Sequence, residues 1–372
     1  MTNLALLRRA HLVLAFLQQF YVHSLPPHVS PIIIPRSIAI PILRVSETLD
    51  LPPILTYCDT VLYNWHIDPT LGAPTNHKNG GLLTPENVRV NTMFTNTVNE
   101  EEFYLCSARI ELKGVEALEL MRMIMDETSL GDTIAIRRIC DYLRRMTTII
   151  NDLRTLLLRV KKFCRPDVYY NEVRPWLRGE DSDQGKRKWI FEGVDEDPTL
   201  HHPTQLSGPS AGQSALIHVL DIHLGVDHQT NATPQLPSFM NRMKIYMPKN
   251  HRAFLNNLMT NPRPLRAFVM ASQDQEMKEA YNQAVLTLKE FRDAHMIITT
   301  LYVIGPARRA ARASLQKEKE VVSLVGPTVG MTVDLATDVT VKDNTLKGTG
   351  GTYLVKFLKD TRLRTTAAII SE

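Results

Sequence analysis

Residues 277–304 read MKEAYNQAVLTLKEFRDAHMIITTLYVI, a stretch without proline or glycine that predicts a long helix. Mostly apolar residues recur at helical spacing and share one side of it, namely Tyr281, Ala284, Leu288, Phe291, His295, Thr299 and Tyr302. His295 therefore faces whatever this helix packs against, and Arg292 lies one turn before it. A histidine so placed either bonds a backbone carbonyl or serves as a ligand, and both interpretations stay open here. Gly305 and Pro306 are expected to end the helix.

Length and composition favour a globular protein of one large domain with a smaller companion. The chain has 372 residues and is 44% hydrophobic, which is enough to bury a sizeable core. Its net charge of +4 arises from 43 basic and 39 acidic residues, a small excess that does not indicate a nucleic-acid-binding surface. No stretch reaches the roughly 20 apolar residues that a membrane-spanning helix needs, so we expect no membrane partner.

The four cysteines argue against several kinds of cofactor site. Cys58, Cys106, Cys140 and Cys164 are far apart and form no C-x-x-C or C-x-x-C-H pattern. Zinc, iron–sulfur clusters and covalently attached haem are therefore disfavoured. A reducing, cytoplasmic location is expected.

The chain divides, by prediction, into residues 1–87 and residues 88–372. The first part contains a helix over residues 4–23, a proline-rich segment with extended pieces such as residues 32–34, and a helix over residues 51–65. A polar linker at residues 66–87 marks the boundary. The first part is expected to be a small, truncated N-terminal α domain.

The second part is predicted to be a large all-α domain that holds a cofactor between facing helices, so the fold class is mostly α. The predicted helices cover residues 103–126, 132–163, 168–177, 212–224, 238–247, 251–260 and 277–304. Residues 307–347 are expected to form a connector with some strand-like valines. A glycine-rich segment then leads into a last helix.

Several collinear motifs share one resemblance. They are Leu51-Pro52-Pro53-Ile54-Leu55-x-Tyr57, Phe103-Tyr104-x-x-Ser107, Tyr169-Tyr170-x-x-x-Arg174, Ser207-Gly208-Pro209-Ser210-Ala211-Gly212-Gln213-Ser214 before a helix with Asp221, Arg292-x-x-His295, and Gly348-Thr349-Gly350-Gly351-Thr352. Together they resemble the indoleamine 2,3-dioxygenase family. The resemblance implies a haem enzyme that adds both atoms of O₂ across the indole C2–C3 bond of L-tryptophan, giving N-formylkynurenine. It implies a role in tryptophan catabolism by the kynurenine pathway, which supplies NAD precursors.

The resemblance implies roles for residues around haem b. His295 would be the proximal iron ligand, Asp221 a carboxylate supporting that ligand from behind, and Arg292 a partner on the haem propionate side. The small residues Ser210, Ala211 and Gly212 would pass close to the haem edge. Without the resemblance, Asp221 would be interpreted as an ordinary exposed helix residue.

The resemblance also implies a substrate side. Arg174 would grip the tryptophan carboxylate, and Ser107 would lie near the indole on the distal side of the haem. The alternatives are a surface arginine and a helix-packing serine. Residues Phe103, Tyr169, Tyr170 and Ser210 would shape the pocket. Gly350 and Thr352 would belong to a mobile loop that closes over the substrate, whereas a plain linker is the alternative.

The chain departs from the family pattern at three places, and each leaves an alternative open. Tyr169 and Tyr170 stand where a phenylalanine pair is expected, which admits an oxygenase that acts on a different indole. Pro209 replaces a glycine, and Met1 falls inside the small domain, which admits a non-enzymatic haem-binding relative. A helical scaffold without a cofactor is the remaining alternative. The expected partners are L-tryptophan or a related indole, O₂ and an external reductant, with a monomer as the expected state.

Overall fold

The computed structural model describes residues 3–68, 70, 86–183, 185–226, 238–260, 265–325 and 346–371. The helices are α1 (Leu4–Ser24), α2 (Arg36–Leu49), α3 (Val98–Leu130), α4 (Thr133–Phe163), α5 (Pro166–Val168), α6 (Ala215–His223), α7 (Phe239–Met243), α8 (Lys249–Thr260), α9 (Leu265–Ser272), α10 (Gln275–Thr299), α11 (Gly305–Val325) and α12 (Leu354–Ala367). The strands are β1 (Ile32–Ile34), β2 (Trp65–Ile67), β3 (Val88–Val90) and β4 (Trp189–Phe191). The predicted mostly α fold is confirmed.

The centre of the fold is a layer of three long helices in which α4 packs along both α3 and α10. Local sequence explains where they begin, because Asp132 accepts the backbone N–H of Ala135 and Asp274 accepts that of Met277, each at 2.8 Å. Gly131 separates α3 from α4 with φ +67°, a left-handed conformation that glycine adopts without strain. The apolar stripe of α4 is buried at residues Ile139, Leu143, Met146, Ile150, Leu153 and Leu157. Each such side chain contributes about 1.5–3 kcal/mol of burial free energy.

The N-terminal part is tied to the large part by a parallel strand pair. β1 pairs with β4 in the register Ile32↔Trp189, and α1 packs on α2 and on the π-helical turn Cys58–Leu62. The predicted helix over residues 4–23 and the extended residues 32–34 are confirmed. The predicted boundary at residues 66–87 falls largely outside the described residues, so the division into two domains stays a prediction.

The sequence patterns failed at two places in the N-terminal part. The predicted helix over residues 51–65 is wrong: it is replaced by the turn Cys58–Leu62 and by β2, which pairs antiparallel with β3. Asp59 explains the turn, since its Oδ2 accepts both the N–H and the hydroxyl of Thr56 and so diverts the backbone from an α-helix. Helix α2 was not predicted, because Pro41 lies inside it.

Gly305 and Pro306 do not end the long helix as predicted. The chain passes from α10 through the π-helical turn Thr300–Ile304 directly into α11. Pro306 is tolerated because it lies in the first turn of α11, where its missing N–H would have no acceptor. The connector predicted for residues 307–347 is therefore wrong as far as residue 325, and residues 326–345 lie outside the described part. The predicted last helix is confirmed as α12.

Among the described residues, no helix is both long enough and apolar enough to cross a membrane. The described helices bury one face against the common core. Helix α4 is an example, because its buried positions recur at helical spacing between exposed ones. The core is continuous from α1 to the C-terminal residues Ala368 and Ile370.

A buried ion pair holds α1 on the π-helical turn Cys58–Leu62. His11 Nδ1 lies 2.8 Å from Asp59 Oδ1, and both side chains are almost fully buried. Burial alone would lower the pKa of His11, but the charge of Asp59 and hydrogen bonds to Asp59 and Pro52 raise the pKa above 6.5. The charged form of His11 therefore contributes stability that is complete below the pKa of an unfolded histidine. That contribution is lost as the pH rises through the raised pKa.

We predict that His11→Gln lowers the free energy of unfolding by about 3 kcal/mol at about pH 6, because it leaves a buried carboxylate without its charged partner. The loss should be smaller at about pH 9, where His11 of the wild type is neutral. Denaturant titration at both pH values measures the two losses. The control is His28→Gln, which changes an exposed histidine and should have no effect at either pH. Equal losses at both pH values would contradict the assignment of the pair as charged.

Candidate functional site

A cavity of about 270 Å³ lies between α3, α10, residues 169–177, residues 209–214 and the hairpin at residues 346–353; we call it the inner cavity. Eleven residues singled out from the sequence line it: Phe103, Ser107, Tyr169, Arg174, Ser210, Ala211, Gly212, Arg292, His295, Gly350 and Thr352. Tyr170 and Asp221 are not among its lining residues. The structure thus brings together side chains that are up to 249 positions apart, from Phe103 to Thr352.

His295 presents its imidazole to the inner cavity from the middle of the apolar face of α10. Within the described part of the chain, neither ring nitrogen has a hydrogen-bond partner, so the backbone-carbonyl alternative is not what the structure shows. Burial, aided by the positive charge of Arg292, lowers the pKa of His295 to about 4. The ring is therefore neutral near pH 7 and has a free lone pair, which is the form in which histidine binds a metal.

Arg292 joins three helices behind the His295 side of the cavity. Its Nη2 contacts Asp221 Oδ1 on α6, and its Nη1 contacts Thr365 Oγ1 on α12. All three side chains are buried, so the interpretation of Asp221 as an exposed helix residue is wrong. Arg292 itself lines the inner cavity. That Asp221 supports His295 stays a prediction. In the structure Asp221 contacts Arg292, which lies one turn before His295.

Another part of the inner-cavity lining carries aromatic side chains and a hydroxyl. Phe103 and Ser107 lie one turn apart on α3, and the Phe103 ring centroid is 4.4 Å from that of Tyr169. Tyr169 also contacts Tyr302 edge-on at 5.8 Å. Burial raises the pKa of Tyr169 to about 12, so its hydroxyl is neutral. This hydroxyl has no hydrogen-bond partner among the described residues.

Arg174 lies at the rim of the inner cavity, and its side chain is buried. The surface-arginine alternative is therefore wrong. Its Nη2 donates to the carbonyl oxygen of Lys347 at 2.9 Å, and its guanidinium lies 5.6 Å from the ring centroid of Tyr170. Tyr170 thus contacts the far side of Arg174 and borders a different, outer space. The remaining N–H groups of Arg174 can receive a carboxylate.

The glycine-rich segment is a closed hairpin over residues 346–353. Gly348 N–H donates to the carbonyl of Thr352 at 2.9 Å, and Gly351 turns the chain with φ +73°. The carbonyl of Thr349 accepts the N–H of Gly208 at 3.1 Å, which ties the hairpin to the segment before Ser210. The linker alternative therefore does not describe this segment. Its motion as a lid stays a prediction.

One buried carboxylate near the site escaped the sequence analysis. Glu111 Oε1 accepts the hydroxyl of Tyr57 at 2.9 Å and the hydroxyl of Ser214 at 2.5 Å. Tyr57 and Ser214 both line the inner cavity, as does Ser107. Burial raises the pKa of Glu111. The hydrogen bonds from Ser214 and Tyr57 lower this pKa, but by less than burial raises it. The one available signal was its position four residues after Ser107, on the same face of α3.

We predict that Glu111→Ala lowers the free energy of unfolding by about 1–3 kcal/mol, because the buried hydroxyls of Tyr57 and Ser214 lose their acceptor. Glu111→Gln keeps the carbonyl oxygen and should cost about 1 kcal/mol or less. Denaturant unfolding of the two variants beside wild type measures both losses. If the Gln variant is as unstable as the Ala variant, the side chain acts through its charge and not as a shared acceptor.

Comparison with known proteins agrees with this site. The family model described as indoleamine 2,3-dioxygenase matches residues 1–368. The chain is 30% identical to human indoleamine 2,3-dioxygenase 2 over 364 residues, an alignment that covers 98% of this chain and 79% of the relative. It is 32% identical over 370 residues to indoleamine 2,3-dioxygenase of Saccharomyces cerevisiae, covering 97% of this chain and 78% of the relative. It is 30% identical to indoleamine 2,3-dioxygenase nanC of Aspergillus nanangensis, covering 99% and 82%. The chain belongs to the indoleamine 2,3-dioxygenase family.

Proposed function

We propose that this chain is a haem-dependent dioxygenase that cleaves the indole C2–C3 bond of L-tryptophan with O₂ to give N-formylkynurenine. The observation that carries the proposal is the neutral imidazole of His295, which has no hydrogen-bond partner among the described residues and lines a cavity with Phe103, Ser107 and Arg174. Membership of the family supports the same reaction class, an oxidoreductase of tryptophan catabolism that feeds the kynurenine pathway.

The residues present fit haem b. A neutral histidine without another partner is a ligand that haem iron takes from a protein, and within the described residues His295 meets both conditions. The cavity around it is mainly apolar, with Phe291, Ile298 and Val303 on the His295 side, as a hydrophobic macrocycle requires. Arg292 would hold a propionate. Ser210, Ala211 and Gly212 would lie against the haem edge, where the absence of large side chains leaves space.

The chain's own side chains would bind and orient the substrate. The planar fork of Arg174 holds the amino-acid carboxylate through two parallel hydrogen bonds, and Phe103 with Tyr169 flanks the indole. Thr352 and Gly350 border the amino-acid end and shield it from water. Bound haem supplies the activation of O₂, a chemistry that protein side chains do not provide. Ser107 can order a water molecule or the substrate, but its hydroxyl is not a strong base.

The finer statements about partners and location are part of this proposal. An external reductant is required because the iron must be ferrous to take up O₂. We propose a monomer in the cytoplasm. The four cysteines support a reducing compartment, since all of them are buried free thiols in the structure.

A second candidate is an oxygenase for a different indole, and one observation favours it. Tyr169 lines the inner cavity, and its hydroxyl has no hydrogen-bond partner among the described residues. Such a hydroxyl favours an indole that carries a polar substituent, because binding a purely apolar ring strips the hydroxyl of water without replacing the hydrogen bond.

We predict that the haem-loaded chain, given reductant and isotopically labelled O₂, converts L-tryptophan to N-formylkynurenine that carries both labelled oxygen atoms. Mass spectrometry of the product measures the number of atoms incorporated. One labelled atom would indicate a monooxygenase, and no product from a chain that binds haem would indicate a non-enzymatic relative. Either result would contradict the proposed reaction.

We predict that Tyr169→Phe lowers the KM for L-tryptophan by about three- to tenfold, because it removes an unpaired hydroxyl that substrate binding must dehydrate. Tyr170→Phe is the matched control and should leave KM within about twofold, since Tyr170 lies outside the inner cavity. Steady-state kinetics of both variants, on tryptophan and on hydroxyl-substituted indoles, measure the difference. A larger effect of Tyr170→Phe would show that the inner cavity is not the substrate pocket.

A further inference from the structure

A second cavity of about 770 Å³ adjoins the inner cavity and meets it at Arg174, which lines both. We call it the outer cavity; its walls include Tyr170, Arg178, Asp181, Arg242 and Lys347. Its size lies within the range of about 300–1,000 Å³ that is usual for small-molecule sites. The proposed reaction uses Arg174 toward the inner cavity and leaves the outer cavity without a role.

The outer cavity has an excess of positive charge. Its basic lining residues are Arg174, Arg178, Lys186, Lys188, Arg242 and Lys347, and its acidic lining residues are Glu180, Asp181 and Asp183. Because the whole chain has 43 basic and 39 acidic residues, this local ratio of two to one is much more basic than the average. A concave surface lined by one sign of charge concentrates ions of the opposite sign.

Each of the three carboxylates is already bound by neighbouring groups. Glu180 accepts from Lys188 Nζ at 2.6 Å and from a backbone N–H at 2.8 Å. Asp183 accepts from the guanidinium of Arg187 at 2.9 Å and 3.2 Å and from its backbone N–H. Asp181 Oδ2 accepts the hydroxyl of Ser207 at 2.5 Å, and burial raises the pKa of this carboxyl above its ordinary value.

Arg178 differs from the three lining carboxylates because its guanidinium has no ion pair or hydrogen bond in the part of the chain that the structure describes. It is partly buried and lies four residues after Arg174. Burial and the charge of Arg174 both lower the pKa of Arg178, although a guanidinium stays protonated. Two neighbouring guanidinium groups repel each other, and an anion between them would remove the repulsion and replace the missing hydrogen bonds.

The other groups of the outer cavity suit an organic anion better than a bare ion. Tyr170 lies against Arg174 on this side, with the guanidinium 5.6 Å from its ring centroid, and so offers a flat apolar surface. Thr204, Gln205 and Ser207 add uncharged polar side chains. Lys347 is held in place, because its Nζ donates to the carbonyl of Asp181 at 3.2 Å.

We propose that the outer cavity is a second ligand site, which binds a small organic anion with a carboxylate or phosphate group through Arg178, next to Arg174 and Lys347. The site adjoins the amino-acid pocket of the inner cavity and shares Arg174 with it. Tyr170 contacts the ligand of the outer cavity in this proposal, whereas the resemblance implied that it shapes the tryptophan pocket. The proposal does not depend on the reaction that the inner cavity catalyses.

The test is calorimetric titration of the purified full-length chain with succinate and with a phosphate monoester, glycerol 3-phosphate, at constant ionic strength. At least one probe should bind saturably with one-to-one stoichiometry. Arg178→Gln should weaken that binding about tenfold or more, as expected for the loss of a charge-assisted hydrogen bond. Because the Arg178 guanidinium has no hydrogen bond or ion pair with any described residue, this variant should keep the wild-type unfolding midpoint.

Arg137→Gln is the matched control, since it removes the same charge from an exposed position on α4 and should not change the affinity. Equal weakening by both variants would overturn the proposal, because it would show a general effect of net charge. Absence of saturable binding by either probe would also overturn it. So would an unchanged affinity in Arg178→Gln, which would place the anion away from Arg178. Comparing succinate with glycerol 3-phosphate identifies the preferred anionic group.

Discussion

The packing of α4 along both α3 and α10 is the constraint on which the site depends. It fixes the separation between the α3 face with Phe103 and Ser107 and the α10 face with His295, so the inner cavity exists because these two helices cannot close on each other. The buried apolar stripe of α4 supplies the free energy that holds this arrangement. His295 lines that space and has no hydrogen bond to another described residue, which makes its imidazole available to a ligand.

Arg174 and Arg292 link the inner cavity to its surroundings in different ways. Arg292 connects α10 to α6 and α12 through Asp221 and Thr365, which immobilises the turn that carries His295. Arg174 bonds to the 346–353 hairpin and lines both cavities. The amino-acid end of the inner cavity and the basic wall of the outer cavity therefore share one guanidinium. Glu111 lies on α3 and accepts hydrogen bonds from the hydroxyls of Tyr57 and Ser214. It therefore connects α3 with the two chain segments that carry these residues.

The sequence predicted those features that are local. The start of α4 after Asp132 and the course of α10 follow from capping residues and from helical spacing, and both are confirmed. The continuation into α11 was missed because a proline next to a glycine usually ends a helix, whereas here Pro306 occupies a first turn. The helix predicted over residues 51–65 was wrong because the carboxylate of Asp59 competes for the backbone at Thr56, a contact that spacing does not reveal.

In the site, too, the sequence predicted some features and could not predict those that depend on the tertiary fold. Motifs predicted eleven lining residues correctly as neighbours, although their roles stay predictions. They could not show that Tyr170 turns away from Tyr169 into the outer cavity, because adjacent residues in the irregular helical segment after residue 166 point in directions that depend on the tertiary fold. The hydrogen bond between Glu111 and Ser214 joins residues 103 positions apart and likewise needs the folded chain.

The most direct test of the central claim is an optical titration of the chain with haem, carried out beside His295→Ala and beside His202→Ala. His202 is an exposed histidine paired with Asp195 and is the matched control. The account predicts saturable one-to-one binding with a histidine-ligated ferrous spectrum and a carbon monoxide adduct in wild type and in His202→Ala. This spectrum should be lost in His295→Ala. An unchanged spectrum in His295→Ala, or no haem binding by the wild-type chain, would contradict the assignment of His295 as the iron ligand.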